Sequence, residues 1–559
     1  MTWIKKLWLS LLLGSVCHGA MAADERPNFL IIVADDLGYS DLGSYGGEID
    51  TPNIDSLATQ GMQLTNFHTA PVCSPTRAML LSGADSHVAG LGNMGELLQP
   101  FQQGQPGYEG FLNDRMVTVA QVLKEAGYHT YTTGKWHLGR TEETSPKARG
   151  FERSFILVQG GASHFDDQHA IIAADPKAIY REDGKQVEVP KGFYSSEFYT
   201  DRLISYLEAD KGSDKPFMAM LSYTAPHWPL HAPDEWLDKY KGRYDGGYEQ
   251  IRAARLERQK ALGIVSADTQ ANTPMAKGLP RWEQLSPQQR EREARNMEIY
   301  AAMVSNMDFH IGRLLKYLED QGKLDNTFIV FISDNGADGN SPVDLPGNKA
   351  WLARDFDNSL KNLGHKGSYA DYGAQWAQVS STPYPLFKGF VTEGGIRAPA
   401  IISARMLKEA HLQGTRRDDV VHVMDLMPTL LDLAAVPPLG KTFQGRPVQT
   451  IAGKSMLPLL EGQAMGERQI GWELFGRKAL RKGDWKISWV NQPYGDSAWR
   501  LFNLKDDPTE SRNLAHREPA KLQEMQVAWE QYVKENNVLE GEFELKYGFQ
   551  TCLYEYCFK

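Results

Sequence analysis

Two stretches decide the fold. Phe29-Leu30-Ile31-Ile32-Val33 runs through Ala34 into Asp35-Asp36, and Phe328-Ile329-Val330-Phe331-Ile332 runs through Ser333 into Asp334-Asn335-Gly336. Neither alternates apolar with polar, so each reads as a strand buried on both faces of a largely parallel sheet. Two more runs follow the pattern. Tyr128 to Thr132 ends at Gly134-Lys135-Trp136-His137, and Phe217 to Leu221 ends near Pro226-His227. Helical patterns lie between them, at Asn53–Gln60, Val117–Ala126, Glu197–Glu208 and Met297–Leu318. Alternating β and α elements imply an α/β fold, with ligands at the carboxyl ends of the strands. All four runs put polar residues there.

Working outward, residues 234–295 are charge-rich and short of apolar runs, which predicts a helical surface insertion. Val421–Leu433 reads as an amphipathic helix. Beyond about residue 465 the pattern changes. Ala479–Val490 and Trp499–Leu504 read as antiparallel strands, followed by a turn at Asp506-Asp507-Pro508 and a helix from about Glu518 to Glu535. The chain therefore divides into a main unit, 23–465, a small C-terminal α+β subdomain, 466–536, and a tail, 537–559. At the N-terminus, Lys5-Lys6, an apolar stretch from Leu7 to Val16 and Ala20-Met21-Ala22 form a cleavable signal peptide, 1–22. The apolar stretch is too short to span a bilayer. The expectation is a periplasmic or secreted protein with no stable membrane anchor. The net charge of −10 over 559 residues leaves no general basic surface, which excludes nucleic-acid binding as a main role.

Of four cysteines, cleavage removes Cys17. Cys552 and Cys557 are close enough in sequence to pair, which leaves Cys73 as the odd one in an oxidising compartment. Gly90-Leu91-Gly92-Asn93-Met94-Gly95 matches G-x-G-x-x-G but follows no strand, so it reads as a loop. His227 and His231 are four apart, but Pro226, Pro229 and Pro233 forbid the helix that a zinc-binding pair needs. Asp35-Asp36 and Asp334-Asn335 carry more. If their strands are parallel in one sheet, three carboxylates and an amide carbonyl converge at one edge, and all-oxygen ligands suit Ca²⁺ or Mg²⁺. Cys73-Ser74-Pro75-Thr76-Arg77 precedes an apolar helix body. Ser74 is expected as its N-cap and Pro75 as its first residue, which puts Cys73 where helix N–H groups favour anions. Lys135, His137, His227 and Lys388 follow strands or precede Glu393-Gly394-Gly395-Ile396-Arg397.

Cys73-Ser74-Pro75-Thr76-Arg77 resembles the C-x-P-x-R signature of the type I, formylglycine-dependent sulfatases. Gly134-Lys135-Trp136-His137-Leu138-Gly139 resembles their second signature. Pro27-Asn28 to Gly38, Ala225-Pro226-His227-Trp228-Pro229, Ser333 to Gly336 and Lys388 to Arg397 also look like family segments, and the bacterial arylsulfatases look closest. The resemblance implies an alkaline-phosphatase-like fold: a large mixed sheet between helices, plus a smaller C-terminal domain with a four-stranded antiparallel sheet. It implies that a maturation system oxidises Cys73 to Cα-formylglycine. One Ca²⁺ would be held by Asp35, Asp36, Asp334 and Asn335 and touch residue 73. Arg77, Lys135 and Lys388 would balance charge on the sulfuryl oxygens, with Asp334 as proton acceptor and His227 as acid for the leaving alcohol. His137 would then drive sulfate from a covalent sulfated hemiacetal. The implied substrate is a small-molecule sulfate ester, most readily an aryl sulfate. Two other readings compete: a phosphonate monoester or phosphodiester hydrolase on the same fold, and a non-catalytic calcium-dependent binding protein. Apolar candidates for the substrate pocket are Met94, Tyr194, Trp228 and Trp376.

Overall fold

The computed structural model describes residues 26–272, 279–345, 347–407, 412–492 and 494–543. The signal peptide with Cys17, the Cys552 and Cys557 pair, and residues 544–559 of the tail lie outside the described residues.

The main sheet has ten strands: β1 Asn28–Ala34, β2 Met62–Leu64, β3 His129–Lys135, β4 Arg153–Leu157, β5 Tyr180–Glu182, β6 Lys185–Val187, β7 Phe217–Ser222, β8 Thr327–Ser333, β9 Ala400–Ala404 and β10 Thr415–Arg417. Their order is β10-β2-β9-β8-β1-β7-β3-β4-β5-β6. The central five, β8-β1-β7-β3-β4, are parallel, whereas β9 and β5 run antiparallel to their inner neighbours. The sheet is thus mixed. The four apolar runs form its centre, side by side.

Both faces of β1 are buried, as its unbroken apolar pattern requires. Leu30, Ile32 and Ala34 face a layer that includes Leu203, Tyr206, Ile299, Met303 and Ile311. Phe29, Ile31 and Val33 face the opposite layer with Leu80, Val119, Leu123 and Leu430. Each of these β1 side chains other than Ala34 contributes about 1.5–3 kcal/mol on burial. The register then sets the site. Ala34 pairs with Ser333, Val33 with Ser222, and Ser222 with Gly134, so Asp35, Asp334 and Lys135 reach one edge together.

Several sequence expectations need correction. The predicted helix at 297–318 starts ten residues earlier, at Pro287, where Ser286 and Gln289 form a capping box, and continues to Asp320. The 234–295 segment is not a surface insertion throughout. Its helix Gly247–Ala261 buries Arg255, which donates to Asp41 and Glu48. One of the charges that made it look exposed, Arg255, is paired inside, whereas Asp238, Lys241, Glu249 and Glu257 of the same segment are exposed. Val421–Leu433 is not one helix: Val421–His422 is a short strand, Val423–Asp425 a 3₁₀ turn, and the α-helix begins at Leu426. Ala479–Val490 is not one strand but two, with a turn between them at Gly483, whose φ is +58°.

These belong to the C-terminal sheet, β11 Gln469–Leu474, β12 Arg477–Lys482, β13 Trp485–Trp489 and β14 Trp499–Asn503, antiparallel in that order. Leu480, Ile487 and Leu501 pack against Met525, Trp529 and Tyr532 of the helix Pro519–Asn536. Among the described residues no helix is long and apolar enough to cross a membrane.

Candidate active site

Cys73 opens the helix Cys73–Ser82, all of whose residues are buried. Ser74 is not its N-cap: Val72 holds that position and donates no side-chain cap. Pro75 is the third helical residue, still within the first turn, where no intrahelical N–H bond is lost. The expectation placed the helix start two residues late. Cys73 is consequently helical, buried and in no disulfide.

The sequence-predicted site residues do come together. Lys135 Nζ donates to both oxygens of Asp35, at 2.8 and 2.7 Å. Arg77 reaches Asp334 Oδ2 through Nε at 2.9 Å and Nη2 at 2.7 Å, and its Nη1 donates to the Lys135 carbonyl at 3.0 Å and to Ser222 Oγ. Lys388 Nζ lies 2.9 Å from Asp36. Asn335 Nδ2 donates to Asp36 Oδ1 at 2.6 Å. His227 Nε2 stands 3.5 Å from Asp36 Oδ2, while its Nδ1 faces the Trp228 carbonyl. Asp36 and His137 adopt left-handed backbone, φ +68° and +56°, which is uncommon for residues with a Cβ and frequent at functional turns. His137 Nδ1 lies 3.4 Å from Cys73 Sγ.

The electrostatics follow from burial in close quarters. Burial raises the Asp35 carboxyl, with Lys135 opposing and Asp334 and Asp36 adding to the rise. Burial also pushes Asp36 up, but Lys388 and then His227 outweigh it and hold Asp36 below the usual carboxylate range. Burial lowers His227 well below an ordinary imidazole, and Lys388 and Lys135 lower it further against the pull of Asp36. The Cys73 thiol would rise on burial, yet Lys135, Lys388 and His137 bring it to about 7. The position next to residue 73 therefore stabilises negative charge.

Three ligand atoms, from Asp35, Cys73 and Asp334, lie within 4.8 Å of one another. Asn335 Oδ1 is buried and has no hydrogen-bond partner, although its Nδ2 is fully used. A buried carbonyl oxygen without a donor, beside three carboxylates, is the environment a hard cation satisfies. The donor set fits Ca²⁺ or Mg²⁺.

Two residues here were not singled out from sequence. Asp338 bridges Lys388 Nζ at 3.0 Å and Trp228 Nε1 at 2.9 Å, and accepts from Asn340 Nδ2 at 2.6 Å. It lies four residues past Asp334, on the same loop after β8, a spacing that could have flagged it. Glu96 Oε1 is 3.0 Å from His137 Nε2. It is remote in sequence, and no local pattern marks it. Of the proposed pocket walls, Trp228 lies tilted against His227, at 4.6 Å between ring centroids. Met94 precedes the 3₁₀ turn that carries Glu96. Trp376 packs instead with Tyr244, Tyr248 and Trp282, and Tyr194 with His164 and Phe165, so both are core residues.

Residues 27–436 match the Sulfatase family profile. An uncharacterized sulfatase of Schizosaccharomyces pombe is 44% identical over 531 residues, covering 93% of this chain and 95% of that protein. An arylsulfatase of Klebsiella aerogenes is 39% identical over 450 residues, covering 80% of this chain and 94% of its own length. The crystal structure of Ps i-CgsB superposes with a TM-score of 0.65 at 24% identity, covering 94% of this chain and 96% of that one, a likeness of fold. The match spans the strands, the helix and the loops that assemble this edge, and the chain accordingly belongs to the sulfatase family and is a sulfuric ester hydrolase.

Proposed function

We propose that the protein hydrolyses sulfate monoesters, aryl sulfates foremost, with residue 73 as nucleophile after oxidation of Cys73 to Cα-formylglycine. The Klebsiella aerogenes arylsulfatase, at 39% identity, supports the aryl preference. The observation that carries the reading is the setting of Cys73. Its Sγ, which marks a position off Cβ that a hydroxyl oxygen would take, faces His137 in a pocket where lysines favour negative charge. A thiol buried in an exported protein has no evident use there. An aldehyde hydrate, with two hydroxyls on one carbon, gives one oxygen to attack sulfur and keeps a second for release.

Asp35, Asp36, Asp334 and Asn335 would hold a Ca²⁺ ion touching residue 73. Such a cation, when bound, acidifies a neighbouring hydroxyl and draws charge from sulfuryl oxygens. The other roles belong to the chain. Asp334, already oriented by Arg77, accepts the proton of the attacking hydroxyl. Lys135 and Lys388 stand beside the anionic centre and stabilise charge that grows on the sulfuryl group. His227 Nε2, on the Asp36 and Lys388 side of the site, gives a proton to the leaving oxygen; burial keeps the free imidazole neutral with Nδ1–H on the Trp228 carbonyl, and the bound sulfate anion draws the second proton onto Nε2. His137 Nδ1 takes the proton of the second hydroxyl as the carbon–oxygen bond to sulfate breaks. That electron pair leaves with sulfate, and the O–H pair restores the carbonyl. Residues outside the described region, 1–22, fit export to the periplasm or beyond, where the maturation system's product would act.

Steady-state turnover of an aryl sulfate against an aryl phosphonate and an aryl phosphodiester with the same phenol tests the substrate class. The expected result is a kcat/KM highest for the sulfate. A higher value for the phosphonate or the diester would overturn it.

A further inference from the structure

The loop Gly90–Gly95, which follows no strand, carries a function through the residue that follows it. We propose that Glu96 is a positioning residue: it fixes the tautomer of His137 so that the bare lone pair of Nδ1 faces residue 73. The inference deepens the reading above and rests on it.

The geometry is a relay of three groups. Glu96 Oε1 lies 3.0 Å from His137 Nε2, and the other ring nitrogen, Nδ1, lies 3.4 Å from Cys73 Sγ. A carboxylate can only accept. It therefore keeps a proton on Nε2, so that whenever the ring is neutral Nδ1 is the acceptor toward residue 73. The same division of labour lets a buried aspartate orient the histidine of a serine hydrolase. Without Glu96, the proton can sit on Nδ1, and His137 then points a donor at the hydroxyl it must deprotonate.

Glu96 is held in place for this. It sits in the 3₁₀ turn Gly95–Leu97. The buried Asn93 pins that turn by donating to the Leu97 carbonyl at 2.9 Å and to Gln102 Oε1 at 3.0 Å. The ring is confined from its other side. A Cβ at Gly160 would come within 2.6 Å of His137 Cε1, so a glycine there leaves room for the imidazole. The Glu96 side chain remains 35% exposed and the His137 side chain 10%, which puts the carboxylate at the rim and the imidazole inside.

The test is pre-steady-state release of phenol from an aryl sulfate, with intact mass, in matured enzyme whose formylglycine content has been checked. Glu96→Leu removes the acceptor. It should lower kcat by about 10- to 100-fold, preserve a burst of phenol, and accumulate a sulfated residue 73. Glu96→Gln still offers a carbonyl oxygen to Nε2–H and should recover turnover to within about five-fold of wild type. Glu96→Lys suits the exposed rim and can only donate, so it should reproduce the Leu phenotype even if the Leu variant folds poorly. Wild-type turnover in the Leu and Lys variants, or slowing without burst or adduct, would overturn the inference. An adduct in His137→Ala alongside none in the Glu96 variants would sink the role of Glu96 and leave the sulfatase mechanism standing. No adduct in His137→Ala either, on a residue 73 shown to be formylglycine, would sink both.

Discussion

Two of the buried clusters of charge can be set side by side, and we propose only one of them as a site. At the edge of the main sheet, Asp35, Asp36 and Asp334 meet Arg77, Lys135 and Lys388. Beneath the C-terminal sheet, Glu393 meets His68 Nε2 at 2.9 Å and Lys486 at 2.7 Å, and Lys486 also reaches Glu510 at 2.9 Å. Burial would raise Glu393, but Lys486 and His68 hold it well below the usual carboxylate range. Both clusters are perturbed and buried, so neither property separates them. The difference lies in what the groups face. The second cluster closes round a lysine of β13, joins that strand to the short helix Glu393–Ile396 before β9, and is sealed from solvent. The first leaves Asn335 Oδ1 without a donor and sets Cys73, the proposed nucleophile, at a helix start beside a histidine. Perturbed groups mark a site when they face a reactive atom.

The contrast can be broken at either cluster. The largest effect is expected from Asp334→Ala, which removes the partner of Arg77 and an oxygen donor at once. Activity should fall by about 10³-fold or more together with bound calcium, read by elemental analysis of folded protein. Activity lost with full calcium occupancy would separate the two roles. His227→Ala should come next, and selectively. Hydrolysis of an alkyl sulfate should fall by about 10²- to 10⁴-fold, and that of a nitrophenyl sulfate much less, because a good leaving group needs little protonation. Equal slowing of both would remove His227 as the acid.

Lys486→Met probes the structural cluster. It leaves Glu393 and Glu510 facing each other and should cost about 3–5 kcal/mol in denaturant unfolding, with kcat of the folded enzyme within a few-fold of wild type. A specific loss of kcat would erase the distinction drawn between the clusters. The smallest effect concerns His87, which contacts Asp85 Oδ1 at 2.8 Å and Glu473 of β11 at 3.5 Å. Burial lowers His87, but hydrogen bonds to Asp85 and Glu473 raise it to about 9. A raised folded value means that the contribution is complete below an ordinary histidine's pKa near 6.5 and fades as pH climbs through about 9. It amounts to about 3 kcal/mol at most. Thermal unfolding should therefore weaken over that interval in wild type and stay flatter in His87→Gln.

Much of this was legible in the chain. The unbroken apolar runs before Asp35-Asp36 and Asp334-Asn335 identified strands that turned out to be adjacent, because burial on both faces leaves no polar positions. Cys73, Arg77, Lys135, His137, His227 and Lys388 are marked by short motifs that survive as strings. What was not legible depends on pairing across long distances. Arg255 looked solvated because its partners Asp41 and Glu48 lie more than two hundred positions away. The hairpin at Gly483 is a local miss instead: Gly483-Asp484 between Lys482 and Trp485 is a turn signal that was there to be used. Ser74 looked like a cap by composition, whereas the loop from β2 delivers Cys73 itself into helical conformation. Glu96 meets His137 only through the fold of the intervening loop.

The central claim is that Cys73 works as something other than a thiol. Mass spectrometry of the tryptic peptide ending at Arg77, taken from active protein, tests it most directly. The account predicts a peptide about 18 Da lighter than the thiol form, as follows when –CH₂SH becomes –CHO, in proportion to specific activity across preparations. A fully active enzyme in which residue 73 is entirely unmodified cysteine would contradict it.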